Sequence, residues 1–332
     1  MLWIETYRPK TFDAIVDQET VVRHLASFAA QKNVPHMIVF GPHGTGKSAS
    51  IECMARALYG DSWQENTTVL SAADLFSQGK AYLEQDERYS HIFQKDASLI
   101  NNVKYIIRWY ASIRPLDADF KLMVIESADR LTFDAQQALR RIMERYSATC
   151  RFIFCTTNPS AIIPAITSRC LPLFFAPLAA DAIHGRLQAI MRAEGVGRDR
   201  VAPDDLELIE HAAKGDLRKA VMLLQLHATR GGEVDIAEIS DSETLTVSTA
   251  AFAALRERQL EKATALVQSL MVDYGLSGRE VVRELRTVAG REYNDARIAI
   301  ALAETDSLLG HAGNEFLQID ALLARIVREV FS

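Results

Sequence analysis

Gly41-Pro42-His43-Gly44-Thr45-Gly46-Lys47-Ser48 fits the phosphate-binding pattern G-x-x-x-x-G-K-[ST] without a gap, and this octapeptide constrains the fold more than any other stretch. Met37-Ile38-Val39-Phe40, just before it, is an apolar run of strand length. Ser48 to Leu58, just after it, carries Ile51, Met54, Ala55 and Leu58 at helical spacing, with Gly60 as a stop. Strand, glycine loop and helix follow one another as a phosphate cradle requires. The glycines let backbone N–H groups turn inward, the helix start adds its dipole, Lys47 supplies a positive charge, and Ser48 offers a hydroxyl to Mg²⁺.

The 332 residues leave room for about two or three domains. With 48% hydrophobic and 24% charged residues, the composition is that of a globular protein rather than a disordered one. The net charge of −6 argues against a chain that coats nucleic acid over its whole surface, while leaving room for a local basic patch. No apolar run reaches the roughly 20 residues of a membrane span, and Met1-Leu2-Trp3-Ile4-Glu5 lacks a signal-peptide layout, so a cytoplasmic protein is expected. Cys53, Cys150, Cys155 and Cys170 form no C-x-x-C pair, and buried reduced thiols are expected.

Along the chain, residues 3–12 read as an irregular segment held extended by Pro9, and a helix follows from Glu19. Thr67 to Ala73 is a candidate strand and turn, and Leu75 to Ser98 has no assignable pattern. Helices are predicted over Leu99–Tyr110 and Asp134–Tyr146, with buried strands at Lys121–Ile125 and Phe152–Cys155. This alternation predicts an α/β domain with a mostly parallel sheet ending near Phe174. Such sheets place ligands at the carboxyl ends of their strands, where the glycine loop, Glu126 and Thr157 should converge. From Ala176 the pattern is helical: Gly215 should end one helix and Asp216 cap the next, and Gly231-Gly232 marks a linker. After residue 239 two stripes, one from Ala263 to Met271 and one from Ile319 to Val330, read as core packing, with packing against a neighbouring subunit as the alternative.

Six motifs, in order along nearly the whole chain, resemble the small subunit of replication factor C, the AAA+ clamp loader of archaeal and eukaryotic type. Trp3-Ile4-Glu5-Thr6-Tyr7-Arg8-Pro9-Lys10 is similar to the family's W-x-E-K-Y-R-P-K opening, and residues 41–48 to its G-P-P-G-T-G-K-T loop. Leu131 to Arg141 resembles the family's central helix, and Ser168-Arg169-Cys170 matches its S-R-C motif. Gly215 to Ala220 resembles G-D-M-R-R-A, and Tyr274 to Gly278 matches a turn of the collar.

The resemblance implies an AAA+ P-loop domain over residues 1–174, a small helical lid over 175–238 and an all-α collar over 239–332. ATP and Mg²⁺ are the implied ligands, with Tyr7, Arg8 and Pro9 beside the glycine loop in the nucleotide site. Arg218 would reach the phosphates from the lid, Thr157 would sense the γ-phosphate, and Arg169 would point into a neighbouring subunit's ATP site. Lys104, Arg108, Arg140 and Arg141 would face primer-template DNA. Implied partners are a large subunit, a second small subunit and the sliding clamp, and the implied location is nucleoid-associated.

The sequence departs from the family at the end of its second predicted strand, where Glu126-Ser127-Ala128-Asp129 replaces Asp-Glu-Ala-Asp. Glu126 stands where an aspartate helps hold Mg²⁺, and Ser127 where a glutamate polarises water. A neutral hydroxyl does not take that proton, and loss of a general base removes about 10²- to 10⁴-fold in rate. Asp129 is expected to cap the next helix, Asp17 replaces a family glycine, and the segment after Ala72 is longer than the family's. These features imply a specialised small subunit that binds ATP, donates Arg169 and hydrolyses its own nucleotide poorly. An independently active ATPase that uses Glu126, and a purely structural ring member, are the competing readings.

Overall fold

The computed structural model describes residues 1–115, 117–197, 200–230, 243–293, 295–310 and 312–331. It divides into two compact units, Met1–Val234 and Asp235–Ser332. The Gly231-Gly232 linker and the 238/239 boundary expected from the sequence lie outside the described residues.

The first unit is built on five parallel strands: β1 Met37–Phe40, β2 Thr67–Ser71, β3 Lys121–Glu126, β4 Cys150–Thr156 and β5 Leu171–Phe174, in the spatial order β2-β3-β4-β1-β5. Residues alternate between the two faces. Ile38, Met123, Ile125, Phe152 and Phe154 pack with the Leu99–Ser112 and Phe133–Arg145 helices. Met37, Val39, Leu122, Val124, Ile153 and Cys155 pack with the Glu19–Ala30 and Lys47–Tyr59 helices. Both faces are therefore covered, which is why the central strands β3, β4 and β1 read as near-continuous apolar runs.

Several local expectations need correction. Trp3–Thr6 is a single helical turn, not extended chain, and Arg186 Nη2 donates to the Tyr7 carbonyl just beyond it at 2.8 Å. Ala72 and Ala73 begin a helix, Ala72–Gln78, because the Ser71 hydroxyl accepts from Asp74 N and caps it. The unassigned stretch forms two further short helices, Lys80–Gln85 and Glu87–Ser90, which bury Leu83 and Tyr89. Arg88 Nη1 and Tyr89 Oη both donate to the Val69 carbonyl, so this stretch closes over edge strand β2.

Helices Ala180–Glu194, Pro203–Ala213 and Leu217–Arg230 complete the first unit. Lys214, not Gly215, takes the C-cap of the second, with φ 49° and ψ 41°. Gly215 follows with φ 87°, and the Asp216 carboxylate accepts from Lys219 N at 3.0 Å.

The second unit consists of helices Glu243–Arg256, Leu260–Val272, Gly278–Glu292, Ala296–Leu309 and Glu315–Glu329. Ala263, Val267, Leu270, Ile319, Leu322, Leu323 and Ile326 lie in one core with Phe252 and Leu285, as the stripes required. Ser277 starts the third helix through a capping box with Glu280. No described helix is long and apolar enough to cross a membrane.

Candidate nucleotide site

β1 delivers the chain into the glycine loop at its carboxyl end. Gly41 has φ 147°, and a Cβ there would lie 2.1 Å from the Phe175 carbonyl oxygen, so only glycine lets the loop leave the sheet here. Gly44 has φ 67°, and a Cβ there would meet Asp216 Oδ1 at 1.7 Å. Leu217 N donates to the Gly44 carbonyl at 3.3 Å, so the start of the Leu217–Arg230 helix rests on the loop. Gly46 also has positive φ, and Lys47 opens a 13-residue helix whose N-terminus faces the loop.

Lys47 Nζ donates to the carbonyls of Gly41 (2.8 Å) and Pro42, which hold the ammonium over the loop. Burial lowers its pKa below the ordinary lysine range, while the Asp216 and Asp129 carboxylates offset part of that shift. A ligand with negative oxygens would replace two neutral acceptors by charged ones, the stronger kind of bond.

β3 ends opposite. Glu126 is its last residue and Ser127 turns the chain with φ 51° and ψ 44°. Asp129 does not cap the following helix: its Oδ1 accepts from Thr156 Oγ1 at 2.7 Å, and Thr132 caps instead. Asn158 N donates to the same Thr156 hydroxyl at 2.9 Å, so Thr157 is held between two anchored neighbours.

The walls come from both ends of the first unit. Tyr7 Oη donates to Glu194 at 2.6 Å, which raises the Tyr7 pKa. Arg8 pairs with Glu52 of the glycine-loop helix at 3.0 Å, and Glu52 also binds Arg56. Asp17 sits at φ 56°, the conformation for which the family's glycine is suited, and its carboxylate accepts from Ala179 N at 2.7 Å, before the Ala180–Glu194 helix.

The cavity that these elements border measures about 620 Å³. Tyr7, Arg8, Pro9, residues 43–48, Glu126, Thr157 and Arg218 all line it, so residues from the opening segment, three strand ends and the last helix of the unit meet there. Gly41 and Pro42 contribute their carbonyls to Lys47 beneath it. Ser127, Glu52, Asp129 and Trp63 also line it. Of these, Glu52 and Trp63 were not singled out in the sequence. The only signal for Glu52 was its place one turn past Ser48 on the loop helix.

Arg169 lies elsewhere: its guanidinium donates to the Ala165 carbonyl at 2.7 Å and pairs with Glu144 at 2.6 Å. Beside it burial pushes the Cys170 thiol up to about 12, and all four cysteines are free and buried. Lys104 and Arg108 lie on the Leu99–Ser112 helix and Arg140 and Arg141 on Phe133–Arg145, two helices packed side by side. Arg108 and Arg141 are exposed, Lys104 and Arg140 half-buried, and Arg140 contacts Glu144 at 3.5 Å.

Among the described residues no cluster of three or more His, Cys, Asp or Glu could hold a metal unaided. Ser48 and Glu126 in the cavity fit Mg²⁺ arriving with nucleotide, an ion that takes one or two protein oxygens and completes its shell with phosphates and water.

Comparison with known proteins agrees with this architecture. The family model "DNA polymerase III, delta subunit" matches residues 17–179, and "Replication factor C C-terminal domain" matches residues 247–325. Replication factor C small subunit of Archaeoglobus fulgidus is 35% identical over 97% of this chain and 96% of its own. Replication factor C small subunit 2 of Pyrobaculum arsenaticum is 34% identical over 98% of this chain and 96% of its own. Among solved structures, the Aeropyrum pernix ORC1 protein in complex with DNA superposes with a TM-score of 0.56 at 16% identity, covering 96% of this chain and 94% of that one. A mutant of Thermotoga maritima RuvB gives 0.51 at 15% identity over 84% of this chain and 85% of that one. The fold is thus an AAA+ P-loop domain with a helical lid and an all-α C-terminal domain. The chain belongs to the replication factor C small subunit family.

Proposed function

We propose that this chain is a clamp loader subunit that binds ATP with Mg²⁺, supplies Arg169 to a neighbouring subunit's nucleotide, and turns over its own nucleotide slowly. Its partners on this reading are a large subunit, a hydrolysis-competent small subunit, the sliding clamp and primer-template DNA. The reading rests on Ser127, which lines the same cavity as Lys47 and Glu126 and stands where the family motif it resembles has a glutamate.

The bound nucleotide supplies the γ-phosphoryl group to be transferred. Lys47 and the backbone N–H groups of the glycine loop bind and orient the phosphates, and Arg218 at the lid adds positive charge. Thr157 offers a hydroxyl to the phosphate end. Ser127 has neither the charge nor the pKa to accept a proton from water, so ground-state binding is retained while hydrolysis is impaired. Arg169, outside its own cavity and partly exposed, would serve another subunit; such fingers are worth about 10³- to 10⁵-fold in rate in GTPases. Lys104, Arg108, Arg140 and Arg141, on two neighbouring helices, would track a phosphate backbone without reading bases.

ATP binding and steady-state hydrolysis by the isolated chain, with and without Ser127→Glu, test the reading. Tight binding without turnover supports it, whereas brisk turnover in the unmodified chain moves the catalytic role to Glu126. No binding leaves a structural ring member.

A further inference from the structure

Glu144 belongs to neither the cavity nor the phosphate-binding motifs, yet it is the acid that two functionally placed arginines share. Its Oε1 lies 2.6 Å from Arg169 Nη2 and 3.5 Å from Arg140 Nε. Arg140 is one turn earlier on the same helix, Phe133–Arg145. Arg169 comes from the loop after the Pro164–Thr167 turn, so the Glu144 contact bridges two elements that are distant in sequence. Two further bonds fix the guanidinium from its own side, Arg169 Nη1 donating to the Ala165 carbonyl at 2.7 Å and to the Ser168 hydroxyl at 3.3 Å.

A guanidinium carries five N–H donors in a rigid plane. Contacts at both terminal nitrogens fix the orientation of that plane, while the Nε–H makes no contact among those described. The Arg169 side chain keeps 36% of its surface exposed, so it is held without being enclosed. An arginine that reaches a neighbour from such an anchored state loses less freedom on engagement than one searching from solvent.

We propose that Glu144 is a positioning residue for Arg169: its carboxylate holds the guanidinium in the orientation from which it serves the neighbouring subunit. This rests on the finger reading of Arg169. Because Arg140 draws on the same oxygen, a phosphate that engages Arg140 leaves Glu144 wholly to Arg169. Occupancy of the basic helix face then strengthens the hold.

The test uses the assembled loader containing this chain, with kcat and KM for ATP measured in the presence of primer-template DNA. Four versions are compared: unmodified, Glu144→Gln, Arg169→Ala and the double variant. Glu144→Gln keeps the size and one acceptor while removing the charge, and a melting curve on each assembly checks that the fold survives. The expected result is a fall in kcat of about 3- to 10-fold for Glu144→Gln at unchanged KM. Arg169→Ala should fall further, and the double variant should match Arg169→Ala alone, because Glu144 acts only through that arginine. An additive loss in the double variant, an unchanged kcat in Glu144→Gln, or a rise in it overturns the proposal; a rise would mean that the carboxylate restrains the finger. An Arg169→Ala assembly with full activity defeats the finger reading itself, an outcome distinct from failure of Glu144 alone.

Discussion

The carboxyl ends of β1 and β3 face one cavity but bring different chemical groups to it. The β1 end has the full set: three glycines at positive φ, a helix N-terminus, and Lys47 held by two carbonyls. The β3 end presents Glu126 and then Ser127, a carboxylate on the last strand residue and a hydroxyl in a left-handed turn. On the proposed reading, binding rests on the end of β1 and bond cleavage on the end of β3. Such a division suits a subunit whose nucleotide holds a conformation.

The comparison breaks most decisively if charge at position 127 brings no chemistry. Ser127→Glu is expected to raise single-chain or assembly ATP turnover by about 10²-fold or more, read by phosphate release; an unchanged rate would put the defect elsewhere. On the β1 side, Lys47→Ala is expected to weaken ATP binding about 10- to 100-fold, the loss of about 1.5–3 kcal/mol of charge-assisted bonding, measured by titration calorimetry. The same substitution placed on a Ser127→Glu background should abolish the gained turnover. Gly44→Ala sharpens the contrast through stability: positive φ and the Asp216 collision should remove about 2 kcal/mol in denaturant unfolding, with the lid displaced. A Ser127→Ala change, at an open turn, should shift stability by less than about 0.5 kcal/mol.

A pH-dependent effect sits at the other end of β1, where His36 Nδ1 accepts from Phe152 N and burial, aided by Arg151, lowers its pKa to about 4. The unfolded chain, with an ordinary histidine near 6.5, takes up a proton first as pH falls. Stability from this group is therefore present above about pH 6.5 and is lost as pH drops toward 4. The pH slope of unfolding over that window should flatten in His36→Gln.

Legibility in the sequence followed the length and regularity of each element. The glycine loop, β3, β4 and the Phe133–Arg145 helix were readable because apolar runs or helical spacing persist over a full element. β5 was not, since only Leu173 of its four residues is buried and Pro172 argues against a strand. The helices after Ala72 run four to seven residues, too short for periodicity to emerge. Thr157, Glu126 and Arg218 could be placed from the strand-end rule and from family resemblance. Asp129 was misassigned because capping is a local expectation, whereas its partner, Thr156, lies on another strand. Glu144 gave no signal, as its contact with Arg169 spans separate elements.

Pro172 also has an effect beyond this unit. Leu171 N and Phe175 N donate inward to the His36 and Phe40 carbonyls, so the N–H of residue 172 would point away from β1, and proline has none to offer. At the opposite margin, Arg88 and Tyr89 occupy the Val69 carbonyl. Each border of the sheet is thus missing a hydrogen-bonding group that an incoming strand would need, which discourages stray β-pairing in a crowded cell.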